Sequence, residues 1–139
     1  MSVRLLGRVF GWALGLGVSV SVSAQPPAPP KPSPTVIVQG IQWGSSQRFE
    51  GDQRLLPGQA LEVCGPLNQG QAVEWSFYAS APLGFQVLHR IGKRVYRADQ
   101  RTKAKSLQGR LVPEESVRYC WSWTNRTPAP AAVAFMLRY

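Results

Sequence analysis

Apolar and polar residues alternate with a period of two in several stretches of this 139-residue chain. The alternation is clearest over four ranges, 73–77, 85–87, 119–123 and 133–137. A period of two places every second side chain on the same face of a β-strand, so it predicts strands with one buried face. Further candidate strands are the ranges 35–41, 59–64, 95–98 and 107–112. Residues 98–105 are expected to hold one turn of helix at most.

Glycine and proline residues stand in nearly every gap between the predicted strands, where they favour turns. Seven or eight short strands with frequent turns predict an all-β fold, an antiparallel β-sandwich of two sheets. Six large aromatic residues lie on the inward phase of the alternation: Trp75, Phe77, Phe85, Trp121, Trp123 and Phe135. Burial of a side chain of this size contributes about 2 to 3 kcal/mol. We therefore expect these residues to form the core rather than a ligand-stacking surface.

A different composition precedes the predicted sandwich. Residues 1–24 combine two arginines, an apolar run over 9–18 and the small-x-small end Val22-Ser23-Ala24, a pattern typical of a cleaved signal peptide. A permanent membrane anchor is disfavoured because the apolar run is shorter than the roughly 20 residues of a spanning helix. Residues 25–34 are rich in proline and predict an extended linker. The mature chain is therefore predicted to be secreted or periplasmic, without a membrane span, and to carry a β-sandwich domain at residues 35–139.

The two cysteines, Cys64 and Cys120, lie in predicted strands of this exported chain. An oxidising compartment favours a disulfide between them. The alternation turns both away from the face that carries Val63 and Trp121, so the bond would join neighbouring strands or a strand end on the outer face. A bulge near Gly65 would reverse that orientation. In the chain-entropy model, a disulfide that closes a loop of this length contributes about 4 kcal/mol.

Four motifs follow one another along residues 59–139: Gly70-x-x-Val73-x-Trp75-x-Phe77, Phe85-x-Val87, Tyr119-x-Trp121-x-Trp123-x-Asn125 and Val133-x-Phe135-x-Leu137. Together they resemble the GOLD domain, a β-sandwich of p24 cargo receptors and of some lipid-transfer proteins. The cysteine placement is also similar to that of p24 lumenal domains, which join an early strand to the strand before the Asn turn. The resemblance implies a non-catalytic role in protein contacts, and it supplies no catalytic residues.

Positive charge is concentrated in one part of the chain. Without Arg4 and Arg8 of the signal peptide, fourteen basic residues face seven acidic ones, a net charge of about +7. The predicted binding patch comprises Arg90, Lys93, Arg94, Arg97, Arg101, Lys103, Lys105 and Arg110. We expect Gly92-Lys93 to form a hairpin tip that helps to expose them. Such a patch attracts anionic surfaces, so the predicted partner is a protein or an anionic component of the cell envelope.

The basic residues have a second interpretation, in which they keep a sheet edge soluble and prevent edge-to-edge aggregation. Nucleic acid is a disfavoured partner, because export separates the chain from most nucleic acid and the tryptophans are needed in the core.

Residues with catalytic chemistry are sparse. His89 is the single histidine and shares the phase of Phe85 and Val87, with no nucleophile motif near the available serines, so a hydrolytic triad is not indicated. Glu62 and Glu74 are expected to point outward as isolated residues. One histidine and two distant cysteines match no zinc spacing. We predict no enzymatic activity, no metal and no cofactor.

The glycosylation pattern Asn125-Arg126-Thr127 is interpreted as a turn, since Pro128 disfavours the modification. The sequence favours a non-catalytic interaction module that contacts its partner through a basic edge or loop. The alternative is a small secreted enzyme inhibitor or accessory protein, and a hydrolase is less favoured. Rising salt is expected to weaken a charge-driven contact steeply, whereas an inhibitor that inserts a loop into a pocket should not show this steep dependence.

Overall fold

The computed structural model describes Gly11, residues 14–29 and residues 35–139. The chain divides into two units, Met1–Lys31 and Pro32–Tyr139, and residues 14–29 of the first form neither helix nor strand. The predicted signal peptide and linker both include residues that lie outside the described ranges, and both stay predictions. In the described ranges, no helix has the length and apolar character needed to cross a bilayer.

Seven β-strands account for the regular structure of residues 35–139. They are β1 (Val36–Gly40), β2 (Arg48–Leu55), β3 (Ala60–Leu67), β4 (Val73–Ile91), β5 (Arg94–Leu111), β6 (Val117–Thr124) and β7 (Ala131–Arg138). The prediction of an all-β fold is confirmed. The described residues contain no helix, and residues 98–105, where one helical turn was allowed for, belong to β5.

The strand boundaries differ from the prediction in three places. β4 is one strand of 19 residues, although Pro82 and Gly84 suggested a break between residues 77 and 85. β5 similarly joins two predicted strands into one of 18 residues. β2 was not predicted, because its sequence RFEGDQRL is mostly polar and Gly51 and Gln53 separate the two apolar residues of its inward face, Phe49 and Leu55. A Cβ on Gly51 would stand 2.9 Å from the Phe135 ring, so the close packing of that ring replaces an apolar side chain here.

The strands form one connected sheet in the order β1-β3-β6-β4-β7-β2, and β5 pairs with the other side of β4. The first part of β4 pairs with β7 over Glu74–Ala79, and the second part pairs with β6 over Gly84–His89. β5 follows both parts, with register shifts between Tyr78 and Phe85. The sheet curls around a shared core, and the predicted division into two sheets is not confirmed. The purely antiparallel prediction is wrong for β1, which pairs with β3 in parallel.

The six predicted core aromatics are all buried, none more than 5 % exposed. Phe77 lies opposite Phe135 in the part of the sheet where β4 pairs with β7, and Phe85 lies opposite Trp123 in the part where β4 pairs with β6. Rings from the two parts pack together, since the Phe77 and Phe85 centroids are 4.7 Å apart and those of Trp123 and Phe135 are 5.3 Å apart. The aromatic residues therefore hold the curled sheet closed, as the alternation predicts.

The disulfide is present and joins neighbouring strands. Cys64 on β3 lies directly opposite Cys120 on β6, and their sulfur atoms are bonded at 2.08 Å. The two residues form a small buried cluster with Leu88, separate from the aromatic core. The predicted outer-face position is thus confirmed. Gly65 keeps the regular register opposite Tyr119, so no bulge reverses the orientation.

Candidate binding surface along strand β5

Strand β5 is the most exposed long strand of the fold. Its 18 residues pair with β4 alone among the described strands, and within β5 Leu111 is the one buried residue. An edge strand leaves backbone N–H and C=O groups available on its free side. The predicted hairpin tip is confirmed, because Ile91 pairs with Arg94 and Gly92 takes a φ of 58°. A positive φ at the first central residue suits the type II′ turns of two-residue hairpins.

The eight residues of the predicted basic patch do not share one environment. Arg90 forms an ion pair with Glu62 at 3.3 Å, and Arg101 forms one with Asp99. Arg97 donates from Nε to the side-chain oxygen of Gln86 at 2.9 Å. Of the other predicted patch residues, Lys93 and Arg94 lie at the hairpin tip, Lys103 and Lys105 in the middle of β5, and Arg110 near its far end. Of the eight, those without an ion pair to a carboxylate in the described part of the chain are Lys93, Arg94, Arg97, Lys103, Lys105 and Arg110.

Arg110 lies at the far end of β5, opposite Glu74 of β4. Glu74 accepts a hydrogen bond from Arg138 of β7. That bond, then the charge of Arg138 and more weakly the charge of Arg110, lower the pKa of Glu74 from its ordinary value, while desolvation opposes them. Arg110 thus belongs to a local charge cluster with Glu74 and Arg138, apart from the hairpin tip.

A recess of about 460 Å³ opens where the two ends of β5 approach each other. We call it the His89 recess, and its side walls include His89, Val95, Tyr96, Val112, Glu114 and Tyr119. The His89 ring stacks on Tyr96 with centroids 5.0 Å apart and packs against Tyr119 at 4.7 Å. Val95, Tyr96 and Val112 are 39 %, 41 % and 53 % exposed. The recess therefore presents an aromatic floor and an accessible apolar rim.

The sequence predicts His89 to be a packing or solvated residue rather than a catalytic base. In the structure it packs between two tyrosines, and its buried Nδ1 has no hydrogen-bond partner in the described part of the protein. Tyr96 and Val112, which complete the recess, were not singled out from the sequence. Each stands in a mostly polar, exposed segment, so no alternation marks it.

The other chemically interesting residues have structural partners. Glu62, Cys64 and Cys120 bring potential metal-ligand atoms within 4.8 Å of one another, but the two sulfur atoms are bonded together and are not thiolates. The Ser80 hydroxyl accepts a hydrogen bond from the backbone N–H of Ala132 at 2.9 Å. These contacts assign the residues to the architecture of the sheet.

Asn125 occupies the turn predicted for it. It is fully buried, and its side-chain amide donates to the carbonyl oxygens of Leu55 and Ala129 at 3.0 and 2.9 Å. Its side-chain oxygen accepts from the backbone N–H and the hydroxyl of Thr127. Asn side chains often stabilise turns through such local bonds. With both amide hydrogens engaged, Asn125 is not presented for glycosylation in the folded chain.

Comparison with known proteins identifies the fold and no family. No protein-family model matches the chain, and no curated protein matches it. Among solved structures, the chain is similar to PliG of Aeromonas hydrophila, a periplasmic inhibitor of g-type lysozyme. That likeness has a TM-score of 0.54 and 11 % identity, and it covers 75 % of this chain and 98 % of PliG.

A second similar structure is the pre-peptidase C-terminal domain of a collagenase from Bacillus anthracis. Here the TM-score is 0.53 and the identity 7 %, over 76 % of this chain and 96 % of that domain. At such identities the likeness concerns the fold alone, since one fold carries many functions. The chain is a disulfide-bonded all-β protein whose fold resembles that of PliG and of this collagenase domain.

Proposed function

We propose that this chain is an exported, non-catalytic protein-binding module whose contact surface is the His89 recess together with the basic hairpin tip. The observation that best supports this function is an accessible apolar recess of about 460 Å³. It lies beside Lys93 and Arg94, which have no carboxylate partner in the described residues. Interfaces commonly combine a buried apolar or aromatic anchor with a charged rim. The expected occupant is an apolar side chain of a partner protein, flanked by acidic residues.

Each component of this surface has a distinct physical role. Tyr96 stacked on His89 offers a rigid aromatic surface, against which a partner's side chain is desolvated. The tip charges act at longer range, since complementary charges mainly increase association rates and specificity and are screened by salt. Binding through this surface is therefore expected to weaken with salt without disappearing.

Export is part of the proposal. The bonded pair Cys64–Cys120 is consistent with an oxidising compartment such as the periplasm or the external medium. The amino-terminal pattern of residues 1–24 supports the same location. We also propose that the curled sheet is related to the two-sheet GOLD domain. A sequence relative of this chain that carries a GOLD domain would support that relationship.

A second candidate function is enzyme inhibition. The specific observation that favours it is the likeness to PliG over 98 % of that inhibitor. An inhibitor would use the same recess to hold a residue from the mouth of an enzyme's site. An activity assay of g-type lysozyme with increasing amounts of this chain distinguishes the two functions, because a binding module that is not an inhibitor leaves the activity unchanged.

The test of the binding surface is affinity capture from the native envelope or medium with the exported, disulfide-bonded chain as bait. The first variant is Lys93→Gln with Arg94→Gln at the tip, and the second is Tyr96→Ser in the recess. The matched control is Arg48→Gln with Arg54→Gln on β2, which removes the same charge elsewhere. We expect both test variants to capture less of a shared partner than the wild type and the control.

The salt dependence separates the two contributions. Capture by the wild type should fall as ionic strength rises, and the tip variant should show a shallower dependence. Equal capture by the wild type and both test variants would reject the surface. If the tip variant instead aggregates while capture per soluble molecule is unchanged, the basic tip serves to protect the sheet edge.

A further inference from the structure

A second concave surface lies on the outer face of the sheet, where β6, β4 and β5 run side by side. It has a volume of about 300 Å³. We call it the Arg97 cleft, and its polar side chains include Gln86, Arg97, Gln100, Ser122, Thr124 and Arg126. None of the residues that line it is acidic.

Strand register explains why these polar side chains meet. Gln86 of β4 lies opposite Ser122 of β6 and opposite Gln100 of β5. Residues directly opposite each other in adjacent strands project to the same face. The chain neighbours of Gln86, namely Phe85 and Val87, belong to the aromatic core. Since side chains alternate between the faces of a strand, the polar row faces away from that core.

Arg97 is oriented within the cleft. Its Nε donates to the side-chain oxygen of Gln86 at 2.9 Å, which holds the guanidinium plane. The two terminal nitrogens make no hydrogen bond or ion pair within the described part of the chain. A guanidinium with a fixed plane and free terminal N–H groups is suited to bidentate binding of an oxyanion.

Arg126 enters the same cleft from the turn that follows β6. Its guanidinium packs directly against Gly84 of β4, where any Cβ would collide with it. Within the described residues Arg126 has neither an ion pair nor a side-chain hydrogen bond. The absence of a side chain at Gly84 therefore creates the seat for a second free guanidinium.

Neutral hydrogen-bonding groups complete the cleft. Ser122 is 3 % exposed and lines the cleft together with Thr124 and Gln100. Arg101 also borders the cleft, but its guanidinium is already bound to Asp99 and to the backbone oxygen of Gln100. The cleft thus combines two unpaired positive groups with neutral side chains that can donate hydrogen bonds.

We propose that the Arg97 cleft is a binding site for a small oxyanion group, such as the carboxylate of an acidic sugar or a sulfate. Arg97 and Arg126 supply charge-assisted hydrogen bonds, and Ser122 and Thr124 complete the coordination. The site goes beyond the proposed function: Arg97 lines both surfaces, but the cleft uses neither the tip charges nor the stacked rings of the His89 recess, and Arg126 lines the cleft alone. It also adds Arg126, which lies outside the predicted basic patch.

The test is an NMR titration of the isotopically labelled, disulfide-bonded full chain at constant ionic strength. Acetate, glucuronate, sulfate and inorganic phosphate are each added in place of chloride, so that the ionic strength does not change. We expect saturable shifts at the backbone amides of Gly84, Ser122 and Thr124 and at the Nε–H of Arg97. Tighter binding of acetate and glucuronate identifies a carboxylate site, whereas tighter binding of sulfate and phosphate identifies a tetrahedral oxyanion site.

Variants separate the cleft from general charge. Arg97→Gln and Arg126→Gln are each expected to weaken the Kd about tenfold, the effect of one charge-assisted hydrogen bond. Gly84→Ala should act in the same direction, because it displaces Arg126. The matched control is Arg90→Gln, an arginine near the same face that is already paired with Glu62, and its Kd should stay within about twofold of the wild type.

Absence of saturable shifts for every probe would overturn the site. So would an Arg126→Gln chain that binds as tightly as the wild type. Thermal unfolding of each variant shows whether the chain is still folded. Arg97 and Arg126 are exposed, so loss of folding is not expected to obscure the result.

Discussion

Strands β4 and β5 run side by side as one hairpin, with 19 and 18 residues, yet their surroundings differ. β4 has neighbours on both sides, with β5 along one and β6 and β7 along the other. Buried residues recur along nearly all of β4, whereas β5 has one neighbouring strand and is exposed along most of its length. Six of the β5 residues are Arg or Lys.

This contrast indicates that the number of neighbouring strands, more than the strand conformation, determines which side chains a strand can carry. A central strand must bury one or both faces, which selects apolar side chains. An edge strand has exposed backbone groups, and charged side chains there discourage unwanted pairing. The same charges keep the free side of β5 unpaired, so in our proposal edge protection and binding use the same residues.

The largest expected contrast compares two residues that lie opposite each other, Phe85 on β4 and Arg101 on β5. Phe85 packs against the rings of Phe77 and Trp123 with centroids 4.7 and 5.7 Å away. Phe85→Ala should lower the free energy of unfolding by about 3 to 5 kcal/mol because it opens a cavity in the core.

Arg101→Ala is the matched change on β5 and should cost less than about 1 kcal/mol, because the Arg101 side chain is 51 % exposed and its ion pair with Asp99 is open to solvent. Denaturant unfolding with the disulfide intact measures both. Similar losses for the two variants would contradict the contrast between a central and an edge strand.

An intermediate effect is expected at Gly109, the place where β5 is covered by a large side chain of β4. Gly109 lies opposite Trp75, and a Cβ at this position would collide with the indole ring. Gly109→Ala should therefore cost about 1 to 3 kcal/mol, as is typical of overpacking.

The control for Gly109 is Ser106→Ala on the same strand, which should change stability by no more than about 0.5 kcal/mol. Thermal and denaturant unfolding of the two variants provide the measurement. A neutral Gly109→Ala would mean that the Trp75 ring moves aside freely and that β5 does not restrict it.

The smallest expected effect is a pH dependence of stability. It involves Glu74 of β4 and one arginine from each neighbouring strand, Arg138 of β7 and Arg110 of β5. Arg138 of β7 lowers the pKa of Glu74 through a hydrogen bond and its charge, and Arg110 of β5 contributes less. A carboxyl whose folded-state pKa is depressed stabilises the fold above its unfolded pKa, near 4.5. That contribution is lost as the pH falls through the folded-state pKa.

The measurement is the difference in unfolding free energy between the wild type and Glu74→Gln, followed from neutral to acidic pH. It should favour the wild type at neutral pH and shrink towards zero in acid. Arg138→Gln should remove most of this pH dependence, and Arg110→Gln a smaller part. A larger effect of Arg110 would reverse the ranking of the two neighbours. High salt should reduce all of these differences, since the residues are exposed.

Local patterns predicted much of the fold because they reflect burial directly. The alternation around Trp75, Trp121 and Phe135 identified the core residues, and the same phase placed Cys64 and Cys120 on the outer face. Gly92 marked the hairpin tip through its conformational freedom. The edge strand β2 was missed, because Gly51 and Gln53 interrupt the apolar alternation between Phe49 and Leu55 on its inward face.

The candidate sites were predicted less completely. The basic residues of this region were identified from composition, but the pairing of Arg90 with Glu62 and of Arg97 with Gln86 depends on strand register. Arg126 stands far from Arg97 in the chain, and only the pairing of β4 with β6 and β5 brings them to one cleft. No local pattern contains that information.

The sequence by itself determined the strand-forming segments, the aromatic core and the excess of positive charge, because these depend on side-chain type and short-range periodicity. The tertiary structure alone decided which guanidinium groups are neutralised and which remain free in the Arg97 cleft. It also decided that two ends of one strand meet around His89. The first outcome follows mainly from strand register and the second from the curl of the sheet, and both bring together residues that are distant along the chain.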